Sequence, residues 1–201
     1  MATKNDVFKI ALQAARQHQL GDNRWEHNGI VFILNVGGYC ARFVRQSYEA
    51  ALNSGEFVWN FIAPSAREME RKLRDAGLKT NNPEPGDIIC LNNQDYWAGH
   101  IAIYAGFING VKSIIENTSS SKRGNPQSAG TKITPLSDVI DELSGYYAAL
   151  PADVKKGYYP GNIKVEVEGV GSVDGFFSDH GIVGVANIAK LLGYTVENRL
   201  S

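Results

Sequence analysis

The sequence predicts an α+β fold, with helices first and an antiparallel sheet after them, and three observations carry that expectation. Amphipathic helical stretches gather in the N-terminal part of the chain. Short β-rich runs then follow one another between residues 87 and 116, with no helical stretch between them. Gly- and Asn-bearing turns separate those runs at hairpin spacing, whereas parallel strands would need long crossover connections.

Residues 6–18 pattern as a helix, with Phe8, Ala11, Ala14 and Ala15 on one stripe. The stretch around Trp25 reads as irregular, and the apolar run 30–34 fits neither element firmly. Gly37-Gly38 breaks the chain ahead of a strong helical pattern over residues 40–52. Its apolar and small residues at 40, 43, 44, 47, 48, 51 and 52 share one face, and Arg42, Arg45, Gln46 and Glu49 share the other. Ser65 and Glu68 form a capping-box pattern that opens a further helix, expected to reach Asp75 and stop at Gly77. Residues 81–86 are loop by composition. Strands are expected at 87–91 (DIICL), 100–104 (HIAIY), 111–116 (VKSIIE) and 146–150. Residues 118–130 read as a mobile polar loop and 135–143 as helix-like.

The composition changes after residue 150. Residues 151–161 (PADVKKGYYPG) read as a linker dividing the chain into domains at 1–152 and 160–201. In the second part, 162–168 alternates as a strand does, 169–181 is turn-rich, and 183–192 patterns as a helix closed by Gly193. That describes a small ββα-like module. At about 40 residues it is marginal alone, so it is expected to lean on the main domain or on a second copy in a homo-oligomer.

Several function classes drop out on composition. With 20 Lys and Arg against 21 Asp and Glu, the net charge is −1, and no basic tract offers itself to nucleic acid. No run approaches the ~20 apolar residues of a membrane span, and residues 1–20 lack the apolar core of a secretory signal. The expectation is a protein that is cytoplasmic at synthesis. No Gly-rich loop opens a helix to hold phosphate, and no CxxC, HExxH or Asp-rich calcium loop occurs, so neither cofactor nor metal is expected. A GxSxG elbow is missing too. The two cysteines, Cys40 and Cys90, read as free thiols.

Cys40 is the first residue of a predicted helix, on its buried face. A thiol there feels the positive end of the helix dipole, which favours thiolate. Its amide, with a neighbour's, is placed to stabilise an oxyanion, which makes Tyr39 a candidate oxyanion or substrate contact. His100 opens a strand on which Ala102 and Tyr104 share its face; the small Ala102 is expected to let a helix approach that face. A strand-borne imidazole facing a helix-borne thiol is what a cysteine hydrolase requires. One strand later come Glu116 and Asn117, either of which is able to accept the ring N–H and fix the tautomer. They point to opposite faces, and the sequence leaves the choice open.

These residues carry a resemblance. Gly37-Gly38-Tyr39-Cys40-Ala41-Arg42-Phe43-Val44, Pro85-Gly86-Asp87-Ile88-Ile89, Gly99-His100-Ile101-Ala102-Ile103-Tyr104 and Ile115-Glu116-Asn117 together resemble the NlpC-type cysteine peptidases and their cousins, the cysteine, histidine-dependent amidohydrolase/peptidase (CHAP) domains. The resemblance covers roughly residues 5–150. It departs at the cysteine, where Tyr39 and Ala41-Arg42 replace the usual preceding Asp and following Ser-Gly. NlpC-type members often use His as the third residue, and the CHAP group uses Glu or Asn, so Glu116 fits the cousins better. The resemblance implies a papain-like thiol hydrolase core with Cys40, His100 and Glu116 catalytic. It also implies an amide bond of bacterial peptidoglycan as substrate, in the stem peptide or between glycan and peptide. Residues 173–177 and 182–194 more faintly resemble small stalk-type modules of Gram-positive surface and wall-lytic proteins, implying wall binding. A wall-cutting domain without a secretory signal implies a phage endolysin, acting on the wall after release.

Overall fold

The computed structural model describes residues 2–52, 65–92 and 98–149, together with the backbone at 163–167 and 171–175. The first helix, α1 (Lys4–Gln19), starts at a complete capping box. Thr3 Oγ1 accepts from the Asp6 amide and Asp6 accepts from the Thr3 amide. Its buried stripe is Val7, Ile10, Ala11, Ala14, Ala15 and His18. The unassigned region beyond it is a hairpin, β1 (Arg24–His27) and β2 (Ile30–Ile33). Asn28 and Gly29, with φ of 50° and 75°, supply the two left-handed residues of its tight turn.

Helix α2 (Cys40–Leu52) begins at the expected residue and buries Phe43, Val44, Ser47 and Tyr48. Gln46, expected on the solvent face, is also buried, because its side-chain amide donates to the Val31 carbonyl of β2 at 2.8 Å. The β1–β2 hairpin covers a helix face that polarity alone assigns to water. Helix α3 (Ala66–Asp75) ends at Gly77 as expected. Ser65 Oγ caps the Glu68 amide, but Glu68 turns to Arg71 instead of returning to Ser65, so half of the capping box forms.

The remaining strands are β3 (Lys79–Thr80), β4 (Ile88–Leu91), β5 (His100–Ile108), β6 (Val111–Thr118), β7 (Gly130–Pro135) and β8 (Leu143–Tyr147). They form one six-stranded sheet, order β3-β8-β4-β5-β6-β7, in which every pairing is antiparallel. The α+β expectation therefore holds. The helix-like stretch 135–143 consists instead of two 3₁₀ turns, Leu136–Asp138 and Ile140–Glu142, and the last strand lies at Leu143–Tyr147 rather than 146–150.

Helices cover one face of the sheet. Ile101, Ile103, Ala105 and Ile115 pack there with Val7, Phe43, Val44 and Tyr48. Ala102 faces the other way, among Ile89, Leu91, Tyr104, Ile114, Leu136 and Val139. The expectation that a helix approaches over Ala102 is thus corrected: the small side chain accommodates the 3₁₀ layer, and α2 lies on the isoleucine face.

The Pro85-Gly86-Asp87 turn is structural. Gly86 has φ +98°, and a Cβ there would sit 2.1 Å from the Lys4 carbonyl oxygen. Asp87 is buried, accepts the Glu84 amide at 2.8 Å and pairs with Lys4 Nζ at 2.7 Å. Tyr48 OH reaches the Gly86 and Ala149 carbonyls at 3.1 and 3.2 Å, tying α2 to the same turn.

Beyond residue 150, β9 (Ile163–Val167) occupies the strand expected at 162–168 and pairs antiparallel with β10 (Gly171–Gly175), which falls inside the stretch expected to be turns. The linker at 151–161 and the helix at 183–192 lie outside the described residues. Among the described residues, no helix is long and apolar enough to cross a membrane.

Candidate active site

Cys40 is placed by the segment that leads into α2. The Tyr39 carbonyl accepts the Phe43 amide at 2.8 Å, so Tyr39 caps the helix and Cys40 is its first residue. Asn117 fixes that segment from β6. Its Oδ1 accepts the Tyr39 amide at 2.9 Å, and its Nδ2 donates to the Val36 carbonyl at 2.9 Å and to Thr131 Oγ1 at 3.2 Å. Gly37 is pressed so closely onto the end of β6 that a Cβ would lie 2.2 Å from the Thr118 carbonyl oxygen.

His100 meets Cys40 because each opens its own element: the thiol at the start of α2 reaches the imidazole at the start of β5. The two side chains share a hydrogen bond, and the amides of Ile101 and Ala41 also point at the sulfur. On the far side, His100 Nε2 contacts Glu116 Oε2 at 2.7 Å, leaving Nδ1 as the ring nitrogen for the thiol. The pairing of Ile103 with Ile115 sets Glu116 one step further toward the start of β5, on the face of Ile114. Of the two candidate orienters, Glu116 is the one on the ring. Asn117 faces the helices and holds the Cys40 segment, since neighbouring residues on a strand point to opposite faces.

Of the two roles suggested for Tyr39, oxyanion donor and substrate contact, the structure bears on the first. The Tyr39 amide is bonded to Asn117, so it is not available to an oxyanion. The Arg42 guanidinium carbon lies 5.7 Å from the centroid of its half-buried ring. The Cys40 amide lies in the first turn, which has no internal acceptor for it, and is a candidate donor at the helix start.

The electrostatics favour charge separation. Burial pushes the Cys40 thiol up, but the His100 charge and hydrogen bond, with the two backbone amides, outweigh it, and the value falls below the usual thiol range. Burial pulls His100 down, yet Cys40 and Glu116 together raise it to about 10. Burial also opposes the Glu116 charge, and His100, Arg123 and Thr134 reverse that, so Glu116 is held below the usual carboxylate range. Each shift favours the charged form of its group: thiolate at Cys40, imidazolium at His100 and carboxylate at Glu116. Cys90 contrasts with this: it is 1% exposed, inside β4, and burial drives its thiol well above the ordinary value. Both cysteines are free.

Sequence reasoning missed the groups around Glu116. Thr134 Oγ1 donates to Glu116 Oε1 at 2.5 Å, and Arg123 Nη2 reaches Oε2 at 3.2 Å. Lys132 is fully buried, with Nζ on the Ser120 and Arg123 carbonyls at 2.9 Å each. The loop expected to be mobile is therefore stitched down by Arg123 and Lys132. The available signal was the polar alternation of Lys132 and Thr134 around Ile133, which marks β7. His18 is buried on the Thr131 carbonyl at 2.6 Å, a structural histidine. Among the described residues, no group of three His, Cys, Asp or Glu side chains forms a metal-binding cluster.

Replacing Asn117 by Ala separates support from chemistry. It strands the Tyr39 amide and the Val36 carbonyl, a cost of about 1–3 kcal/mol. Denaturant titration is expected to show that loss, and iodoacetamide is expected to label Cys40 several-fold more slowly while His100 stays on Glu116. Wild-type stability and labelling would remove Asn117 from the support of the site.

Compared with family models, curated proteins and solved structures, the chain matches none.

Proposed function

We propose that this protein is a cysteine hydrolase of papain-like architecture that cleaves an amide bond of bacterial peptidoglycan, in the manner of an endolysin. The observation that carries the reading is the continuous contact of Cys40, His100 and Glu116, a thiol, an imidazole and a carboxylate from three elements in the order nucleophile, base, orienter. The peptidoglycan assignment rests on the sequence resemblance to NlpC-type and CHAP domains.

In this mechanism the Cys40 thiolate attacks the amide carbonyl carbon, and the Cys40 amide donates to the developing oxyanion. His100, protonated at Nδ1, gives its proton to the departing amine nitrogen as the C–N bond breaks. Neutral His100 then takes a proton from water, hydroxide adds to the thioester, and the C–S bond breaks to return the thiolate. Glu116 stays ionised and stabilises the imidazolium through Nε2–H.

Digestion of purified peptidoglycan followed by mass analysis of the fragments tests the reading. Muropeptides shortened at one amide, each fragment pair differing from its parent by one water, are the expected result. Products linked to an added amine would indicate acyl transfer, and intact wall with Cys40 alkylatable would overturn the substrate assignment.

A further inference from the structure

Glu116 is shared. Its Oε2 accepts from His100 Nε2 at 2.7 Å and from Arg123 Nη2 at 3.2 Å, and the other guanidinium nitrogen, Nη1, bonds to Glu142 Oε1 at 3.2 Å. The Arg123 side chain is 16% exposed and Glu116 wholly buried, so this contact is poorly screened by solvent. The arginine is also held from behind, since its carbonyl accepts from Lys132 Nζ. From β7, Thr134 and Lys132 flank Glu116; from α2, Cys40 faces His100; from the second 3₁₀ turn, Glu142 faces Arg123. The ammonium of Lys132 is spent on two loop carbonyls, which leaves Arg123 as the cation bonded to the orienting carboxylate.

Resting on the cysteine-hydrolase reading, we propose that Arg123 is a positioning residue that tempers the basicity of His100 by drawing on the same Glu116 oxygen that the imidazole uses. The step it serves is deacylation. There His100 must be neutral to take a proton from water, and a carboxylate left wholly to the imidazolium would hold that proton too firmly. Arg123 takes part of the carboxylate's charge without touching thiol or substrate. Its fork, bridging Glu116 and Glu142, joins the 119–129 loop to the back of the site.

The test isolates this effect in the full-length protein. Cys40 is capped as its methyl disulfide, which removes the thiolate, and the His100 ring is followed by NMR titration, assigned against a His100→Gln spectrum. Arg123→Gln is expected to raise the His100 titration by about one unit, and Arg123→Lys, which keeps the charge, to leave it near the wild-type position. In uncapped protein, Arg123→Gln is expected to lower peptidoglycan turnover about tenfold at neutral pH and move its optimum upward, with Cys40 alkylation within about threefold of wild type. An unmoved His100 in Arg123→Gln, or an Arg123→Lys protein displaced by a full unit, overturns the proposal; the lysine variant alone decides it should the glutamine variant not fold. The NMR readout does not depend on activity, so a failure of the hydrolase reading, seen as turnover by Cys40→Ala, stays distinguishable.

Discussion

Cys40→Ala is expected to lower peptidoglycan cleavage by at least about a thousandfold while leaving thermal unfolding close to that of the wild type. The thiol is half-buried at a helix start, so its loss removes the proposed nucleophile without opening a core cavity. Cys90→Ser reverses the pattern. Cys90 is 1% exposed among Ile88, Ile101 and Ile103, and a hydroxyl there is buried in an apolar environment. A stability loss of about 1–3 kcal/mol with turnover per folded molecule retained is the expected result. Iodoacetamide at neutral pH should label Cys40 and spare Cys90, read by peptide mass mapping. Full turnover by a folded Cys40→Ala protein would end the hydrolase proposal.

His100→Ala is expected to cost as much turnover as loss of Cys40, because residues that act as a unit do not contribute additively. It should also slow Cys40 alkylation at neutral pH by one to two orders of magnitude, since the thiolate loses its counter-charge and returns toward the ordinary thiol value. Glu116→Gln keeps the shape of the contact and removes its charge; a loss of about tenfold to a hundredfold is expected, with His100 titrating lower than in the wild type. The wild-type pH profile follows from the shifts. Thiolate is lost as pH falls through the lowered Cys40 value, and imidazolium is lost as pH rises through about 10, so the ion pair occupies the window between the two. The linked stability terms have opposite signs: the His100 contribution is complete below its ordinary 6.5 and gone above about 10, whereas that of Cys40 is complete above its ordinary 9.0 and lost at low pH. An alkylation rate that follows an ordinary thiol titration in both wild type and His100→Ala would refute the pairing.

The sequence is informative wherever a local rule decides the outcome. Cys40 is the first residue of α2 because Gly37-Gly38 precedes a strong amphipathic period, and His100 opens β5 because Gly99, at φ +66°, turns the chain there. What it leaves open is set by partners distant in the chain. The choice between Glu116 and Asn117 depends on the register of β6 against β5, and polarity is the same for both. Gln46 reads as a surface residue until the β1–β2 hairpin covers it. The face of Ala102 depends on which layer lies over it, and the sheet has one on each side. Arg123 sits in a loop of unremarkable composition, and only the fold brings it to Glu116.

Helix α1 is fastened to groups far along the chain. Lys4 pairs with Asp87, His18 bonds to the Thr131 carbonyl, and Gln19 donates to the Asn125 carbonyl. Its apolar stripe packs on α2, close by in the chain, as well as on β7, so α1 joins near and distant parts of the chain. The distant contacts make α1 the element whose removal leaves both the Gly86 turn and the start of β7 without a wall. Shortening the chain from the front should thus yield an aggregating protein, whereas the loop tips at Asn28-Gly29 and Asn109-Gly110 are where the chain tolerates insertion.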